Sequence, residues 1–211
     1  MSATAPSPAT AHYRAAFERL QPQLGGTAAR RVAAIERFAE LGFPGAREEA
    51  WKYTSLRRLE SRRFLPAAPT TEPVDVPAAF VVQRLVLANG APVGAFPASL
   101  GGFALGTLAT SSEEQLLRPL SGGGTERFAA LNAALSTGPL LLSTVAGQQS
   151  DDVLQLTLVT TGSGPTLASP RIVVRMAPGS RARLLIDHVD DGAHEHFTNA
   201  VLDIDLGAGA H

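Results

Sequence analysis

The stretch "LPAAPTTEPVDVPAA" carries Pro66, Pro69, Pro73 and Pro77. Proline lacks a backbone N–H and fixes φ, so prolines this dense fit neither a helix interior nor a central strand. Residues 65–79 are therefore expected to be an extended linker, and the hydrophobic period differs on its two sides. Before it the period is helical. Tyr13, Phe17, Leu20 and Leu24 recur at i, i+4, i+7 and i+11, one stripe of an amphipathic helix. "GGT" at 25–27 breaks that helix and places Thr27 to cap a second one, in which Val32, Ile35, Phe38 and Leu41 share a face. Gly42 and then Pro44 supply its stop. Residues 10–64 thus form a small helical domain built on an αα-hairpin, and residues 1–9 read as a disordered lead-in.

After the linker the period becomes two. Residues 80–138 read as a mixed hairpin and helix segment. Asn89-Gly90 suits a tight turn with positive φ between extended runs. A short strand is expected at Phe103–Leu108, and Ser111 with Glu114 forms a capping box for a helix ending near Leu120. In "TERFAALNAALST", Phe128, Leu131 and Leu135 line one helical face, with Gly138 beyond its end. Residues 139–211 read as strands only: "LLLSTV", "VLQLTLVT", "RIVVRM", "RLLIDHV" and "AVLDIDL", separated by short turns and without a regular repeat. Such a run suits a sandwich, a barrel or a stacked β-helix.

Eighteen basic and 19 acidic residues leave a net charge of −1, which argues against a dedicated nucleic-acid or membrane-surface binder. No apolar run approaches the roughly 20 residues that cross a bilayer. The N-terminus lacks the charged and apolar regions of a signal peptide. With no cysteine, the chain cannot use a thiolate nucleophile or cysteine ligands to zinc or iron–sulfur clusters. These features together point to the cytoplasm.

"DHVDDGAHEHF" is the strongest metal candidate, with His188, Asp190, Asp191, His194, Glu195 and His196. An H-x-H pair on a strand turns both imidazoles to one face, as metal ligation requires. His194 and His196 therefore suggest a cupin-like metal-binding β-domain enzyme. The cupin spacing is not met: Gly192 is too close to His194, and Ala200 and Val201 stand where a glutamate belongs. A polar turn with solvated histidines is the simpler account. Arg57, Arg58, Arg62 and Arg63 with Lys52 suggest phosphate binding, but Glu60 among them suits a solvated helix face. No phosphate loop, dinucleotide fingerprint or nucleophile elbow occurs, and the adjacent pairs Glu48–Glu49 and Asp151–Asp152 diverge on any regular element.

"FPGAREEAWKYTSLRRL" resembles the signature of the SufB/SufD family of iron–sulfur cluster assembly proteins, close to R-x-E-x-W-K-Y-T-x-L. Arg47, Glu49, Trp51, Lys52, Tyr53, Thr54 and Leu56 match it. "RVAAIERFAELGFP" upstream is similar to that family's helix ending in G-[FL]-P. Downstream, "LVLANGAPV", "FAALNAAL", "SPRIVVRMAPGSRARLLIDH" and "FTNAVLDIDLGAGAH" resemble its N-G hairpin, its A-L-N helix and its first β-rungs. The helical N-terminal part with W-K-Y-T is typical of the family's SufD branch.

The resemblance implies an α+β chain: a small N-terminal helical domain followed by the start of a right-handed parallel β-helix. It implies a non-catalytic scaffold that partners SufB-like and SufC-like subunits, in a complex that handles an iron–sulfur cluster. Family members continue well beyond residue 211, so it also implies an N-terminal fragment, with cluster contacts and ATPase docking lying elsewhere. No catalytic, cofactor-binding or metal-ligating residue of this chain is implied, and no nucleic-acid or membrane partner. An uncapped stack of strands would also self-associate through its exposed edges. Trp51 is expected to be a buried plug at a kinked joint, with Lys52 outside and Thr54 capping a helix that turns Leu56 and Leu59 inward.

Overall fold

The computed structural model describes residues 7–46, 48–70, 73–77, 83–107, 126–190 and 194–211. Helix α1 spans Pro8–Leu20. It starts inside the expected lead-in because Ser7 caps it, its Oγ accepting from the Thr10 amide at 3.3 Å, and because Pro8 fits the first turn. Helix α2, Ala28–Leu41, ends at Gly42, which adopts φ +61°. Helices α3 (Arg57–Ser61) and α4 (Glu126–Leu135) complete the α-helices of the described residues. The capping-box helix expected from Ser111 to Leu120 lies outside them.

The stripes behave largely as their period requires. Tyr13, Phe17, Ile35 and Phe38 are buried, whereas Val32 stays 39% exposed. Arg31, four residues before Ile35, occupies the buried face instead. Its Nε donates to the Gly25 carbonyl at 2.7 Å, and its Nη1 donates to the carbonyls of Ala134 at 3.0 Å and Ala133 at 3.3 Å. The last carbonyls of a helix have no partner within it and carry partial negative charge, so a cation there closes the end of α4. Helices α1, α2 and α4 share one core with Phe64, Leu167 and Phe197, so side chains from both sides of the proline-rich segment pack together.

The described residues hold the strands β1 (Leu65–Pro66), β2 (Gln83–Ala88), β3 (Ala91–Pro92), β4 (Ser99–Leu100), β5 (Phe103–Gly106), β6 (Leu140–Ser143), β7 (Gln149–Thr160), β8 (Thr166–Ala168), β9 (Arg171–Met176), β10 (Arg181–Asp190), β11 (His196–Thr198) and β12 (Val201–Leu206). They form three sheets, ordered β1-β8-β11, β10-β7-β2-β3 and β12-β9-β6-β5-β4. Leu85, Leu87, Leu154, Leu156 and Leu158 of the second sheet pack with Leu140, Leu142, Ile172, Val174 and Met176 of the third in one apolar core.

The chain is α+β, but the expected right-handed parallel β-helix is not what forms. Two of the three sheets mix parallel and antiparallel pairs, and none closes. The reason is local: strands joined by very short connections can pair only antiparallel. Asn89 and Gly90, at φ +52° and +90°, fold β3 back on β2, and the Gly101–Gly102 turn does the same for β4 and β5. Strand β5 in turn pairs antiparallel with β6.

The later strands are parallel. β10, β11 and β12 pair parallel with β7, β8 and β9 respectively, β10 with a register shift between Arg181 and Arg183. Their connections stack too: Gly147 donates to the Pro178 carbonyl and Gly179 to the Ala208 carbonyl, each at 2.9 Å. Gly179, at φ +67°, stacks on Gly147, and a Cβ added there would make ordinary contact with the Gly147 Cα at 3.9 Å. Consequently β10, β11 and β12 are all edge strands at one end of the molecule. Leu202, Ile204 and Leu206 pair with the core residues Ile172, Val174 and Met176, yet are 43%, 53% and 58% exposed. They carry the core face onto an uncovered layer. Among the described residues no helix is long and apolar enough to cross a membrane.

Tyr13 supplies a test of the helical core. Burial pushes its hydroxyl up to about 12, partly offset by the nearby Arg63 charge. A folded pKa above the unfolded value near 10 gives stability that is complete below pH 10 and is lost as pH rises toward 12. Two units correspond to roughly 2–3 kcal/mol. The Tyr13 hydroxyl has no hydrogen-bond partner among the described residues. Tyr13→Phe should therefore leave the melting temperature at pH 8 unchanged or raised, and should flatten this part of the alkaline loss in denaturant titrations. An unaltered pH slope would contradict the assignment.

Candidate functional site

The W-K-Y-T segment is held against α4 from two sides. Glu48 accepts the Gly45 amide at 2.9 Å and meets Arg127 through a two-pronged pair, Nη1 to Oε1 at 2.9 Å and Nη2 to Oε2 at 2.8 Å. Two parallel charge-assisted bonds fix direction as well as distance. The Arg127 hydrogen bond, and then the Gly45 amide, hold the Glu48 carboxyl below its ordinary range. One residue on, Glu49–Trp51 form a single 3₁₀ turn that sets Trp51 edge-on to Phe128, with ring centres 5.6 Å apart. Phe128 also meets Phe43 at 5.7 Å and Phe197 at 6.2 Å, both edge-on. Edge-to-face packing of this kind suits the ring quadrupoles.

Trp51 is thus the outermost ring of an aromatic chain and is half-buried, not the fully buried plug expected. Lys52 lies outside as expected, with Nζ 5.4 Å over the Tyr53 ring, and Tyr53 is 91% exposed. Thr54 does not cap α3; Leu56 holds that position without a side-chain hydrogen bond. Leu59 does turn inward onto the helical core. Arg47 lies outside the described residues.

The two other motif asparagines act as clamps. Asn89 donates through Nδ2 to the Ala68 carbonyl at 3.1 Å, and its Oδ1 accepts the Thr161 amide at 3.0 Å. Asn132, fully buried on α4, donates to the carbonyls of Pro170 at 2.9 Å and Asn199 at 2.7 Å. Those carbonyls lie at the corners between β8 and β9 and between β11 and β12. Asn199 returns a bond to the Phe128 carbonyl at 2.9 Å. Helix α4 is thereby bolted to both parallel layers.

The histidine candidates separate. His196 lies on β11 opposite Thr166 and is half-buried, while His194 sits exposed in the bend before the strand. Glu195 between them pairs with Arg62 at 2.8 Å. His188 is exposed on β10, and Asp191 lies outside the described residues. Among the described residues no three His, Asp or Glu side chains are grouped to hold a metal ion. The carboxylate pairs also serve structure: Asp151 faces Arg181 and Arg183, and Asp152 accepts from Gln83 at 2.8 Å.

Arg31, Arg127 and the pairing role of Asn132 escape a reading of the sequence. Only Arg31 leaves a trace there, as a cation spaced i, i+4, i+7 with Ile35 and Phe38. Compared with models of known protein families and with curated proteins, the chain matches none of either.

Replacing Asn132 removes two donors at once and strands buried carbonyls, each of which costs on the order of 1–3 kcal/mol. Asn132→Ala should lower stability by about 2–4 kcal/mol in denaturant titration. A loss below about 1 kcal/mol would show that the clamp carries little.

Proposed function

We propose that the chain is a non-catalytic scaffold subunit of an iron–sulfur cluster assembly machinery, SufD-like in kind, working in the cytoplasm with SufB-like and SufC-like subunits. In this reading the cluster is cargo of the assembly, and no residue of this chain ligates it. The resemblance of "REEAWKYTSL", "LVLANG" and "FAALNAAL" to the SufB/SufD family supports the reading.

The structural observation that carries it is the open end of the sheets. Among the described residues β10, β11 and β12 pair on one edge only, beside the exposed row Leu202, Ile204 and Leu206. Unpaired N–H and C=O groups next to apolar side chains accept a further β-strand. Asn89 and Asn132 of the resembling motifs support it from the other direction, since each is engaged in holding segments together, as is Glu48 beside the W-K-Y-T match.

Co-expression with SufB-like and SufC-like subunits should yield a common peak in size exclusion, and a chain that elutes alone would count against the scaffold role. Without partners, the same end should pair copies of the chain with each other. Light scattering should then report a mass that rises with concentration, and Leu202→Asp with Ile204→Asp should restore the monomer. A monomer at every concentration for the unaltered chain would rule out self-association.

A further inference from the structure

One exposed feature has no part in the scaffold reading. Lys52, Arg57, Arg58, Arg62 and Arg63 fall within residues 52–63 of a chain whose net charge is −1. Arg62 is taken up by Glu195 at 2.8 Å, and Arg63 donates to the Glu60 carbonyl at 3.1 Å. Lys52 reaches Glu49 only at 3.8 Å. The side chains of Arg57 and Arg58 are exposed and meet no acidic group among the described residues. Beside them an open groove of about 300 Å³ runs between α3 and the start of α1, lined by Pro8, Ala9, Arg57, Glu60, Ser61 and Arg63. Tyr53, 91% exposed, stands four residues before Arg57 and so within about 14 Å of it along the chain.

We propose that Lys52, Tyr53, Arg57 and Arg58, with the groove lined by Arg57 and Arg63, form a docking surface for an acidic peptide segment of a partner protein. Guanidinium forks match carboxylates two bonds at a time, and the groove has room for side chains of carboxylate size. Tyr53 offers a large contact area with only two torsions to freeze. In the chain it stands between Lys52, whose ammonium lies over its ring, and Arg57. An extended nucleic acid is the poorer occupant. Glu49 and Glu60 interrupt the positive surface, and the ammonium of Lys52 already lies over the Tyr53 ring, where a base would stack. A chain with slightly more acidic than basic residues also lacks the broad positive field that draws in a phosphate backbone.

The test uses the full chain and three fluorescein-labelled probes: a short Glu/Asp-rich peptide, a Ser/Gly peptide of equal length, and a poly-uridine oligonucleotide. Anisotropy should show binding of the acidic peptide alone, weaker at about 300 mM salt than at about 50 mM because the contacts are exposed and screened. Arg57→Ala with Arg58→Ala should weaken it about tenfold. Tyr53→Ala should weaken it several-fold, and Arg57→Lys with Arg58→Lys should recover part of the loss. Fluorescence of Trp51, the chain's single tryptophan, checks that each variant keeps the native joint. Tighter binding of the oligonucleotide, no binding of the acidic peptide, or peptide binding unchanged in the double variant would each overturn the proposal.

Discussion

Two hydrogen bonds from one buried amide tie helix α4 to both layers of parallel strands. Asn132 projects from α4 and binds the carbonyls of Pro170 and Asn199, which belong to successive layers of parallel strands. Its position couples everything else. The far end of α4 is closed by Arg31 of α2, and its near end holds Arg127 and Phe128, the two partners of the W-K-Y-T segment. A helix that must satisfy both a sheet corner and a helical hairpin has little freedom to shift. Buried polar bonds of this type contribute modestly when made and cost heavily when broken, which favours a single arrangement.

That arrangement leaves an asymmetry between the two ends of the sheets. On the side of β2–β6, short hairpins turn the chain back, and antiparallel pairs finish the edges. On the side of β10–β12 every pair is parallel, and among the described residues only His211 bonds back to the start of β10, while the apolar row of β12 stays exposed. Parallel sheets are ordinarily covered, because their strands carry apolar side chains on both faces. The physical contrast between a turned-back edge and an open one is why the scaffold reading centres on that end.

A second contrast lies in how charge is used. Most charged groups near the motif serve structure: Glu48 holds Arg127, Glu195 holds Arg62, and Arg37 pairs with Glu126, whose carboxyl it keeps below its usual range. Arg57 and Arg58 stand apart from this pattern, next to a tyrosine that contributes nothing to the core. Exposed cations gain little stability on their own surface, so a surface that gathers them near an exposed tyrosine is better suited to meeting a partner.

The sequence by itself determined the elements governed by short-range rules. Helices around Tyr13–Phe17 and Ile35–Phe38, the Asn89-Gly90 turn, the helix carrying Phe128–Leu135 and the run of strands from Leu140 all follow from hydrophobic period and turn chemistry. What period cannot encode is pairing. Whether neighbouring strands run parallel or antiparallel depends on connection length and on which faces find cover, so the β-helix expected from the early rungs gave way to mixed sheets. The strands at Thr166–Ala168 and His196–Thr198 fall between the runs read as strands, because three residues are too few to show alternation. The stacked connections at Gly147, Gly179 and Gly209 likewise become evident only once the layers are superposed. Trp51 marks the boundary between the two kinds of information. Its neighbours marked it as a joint, but its depth was set by Phe128 and Arg127, some 75 positions further along the chain, and only tertiary packing brings them together.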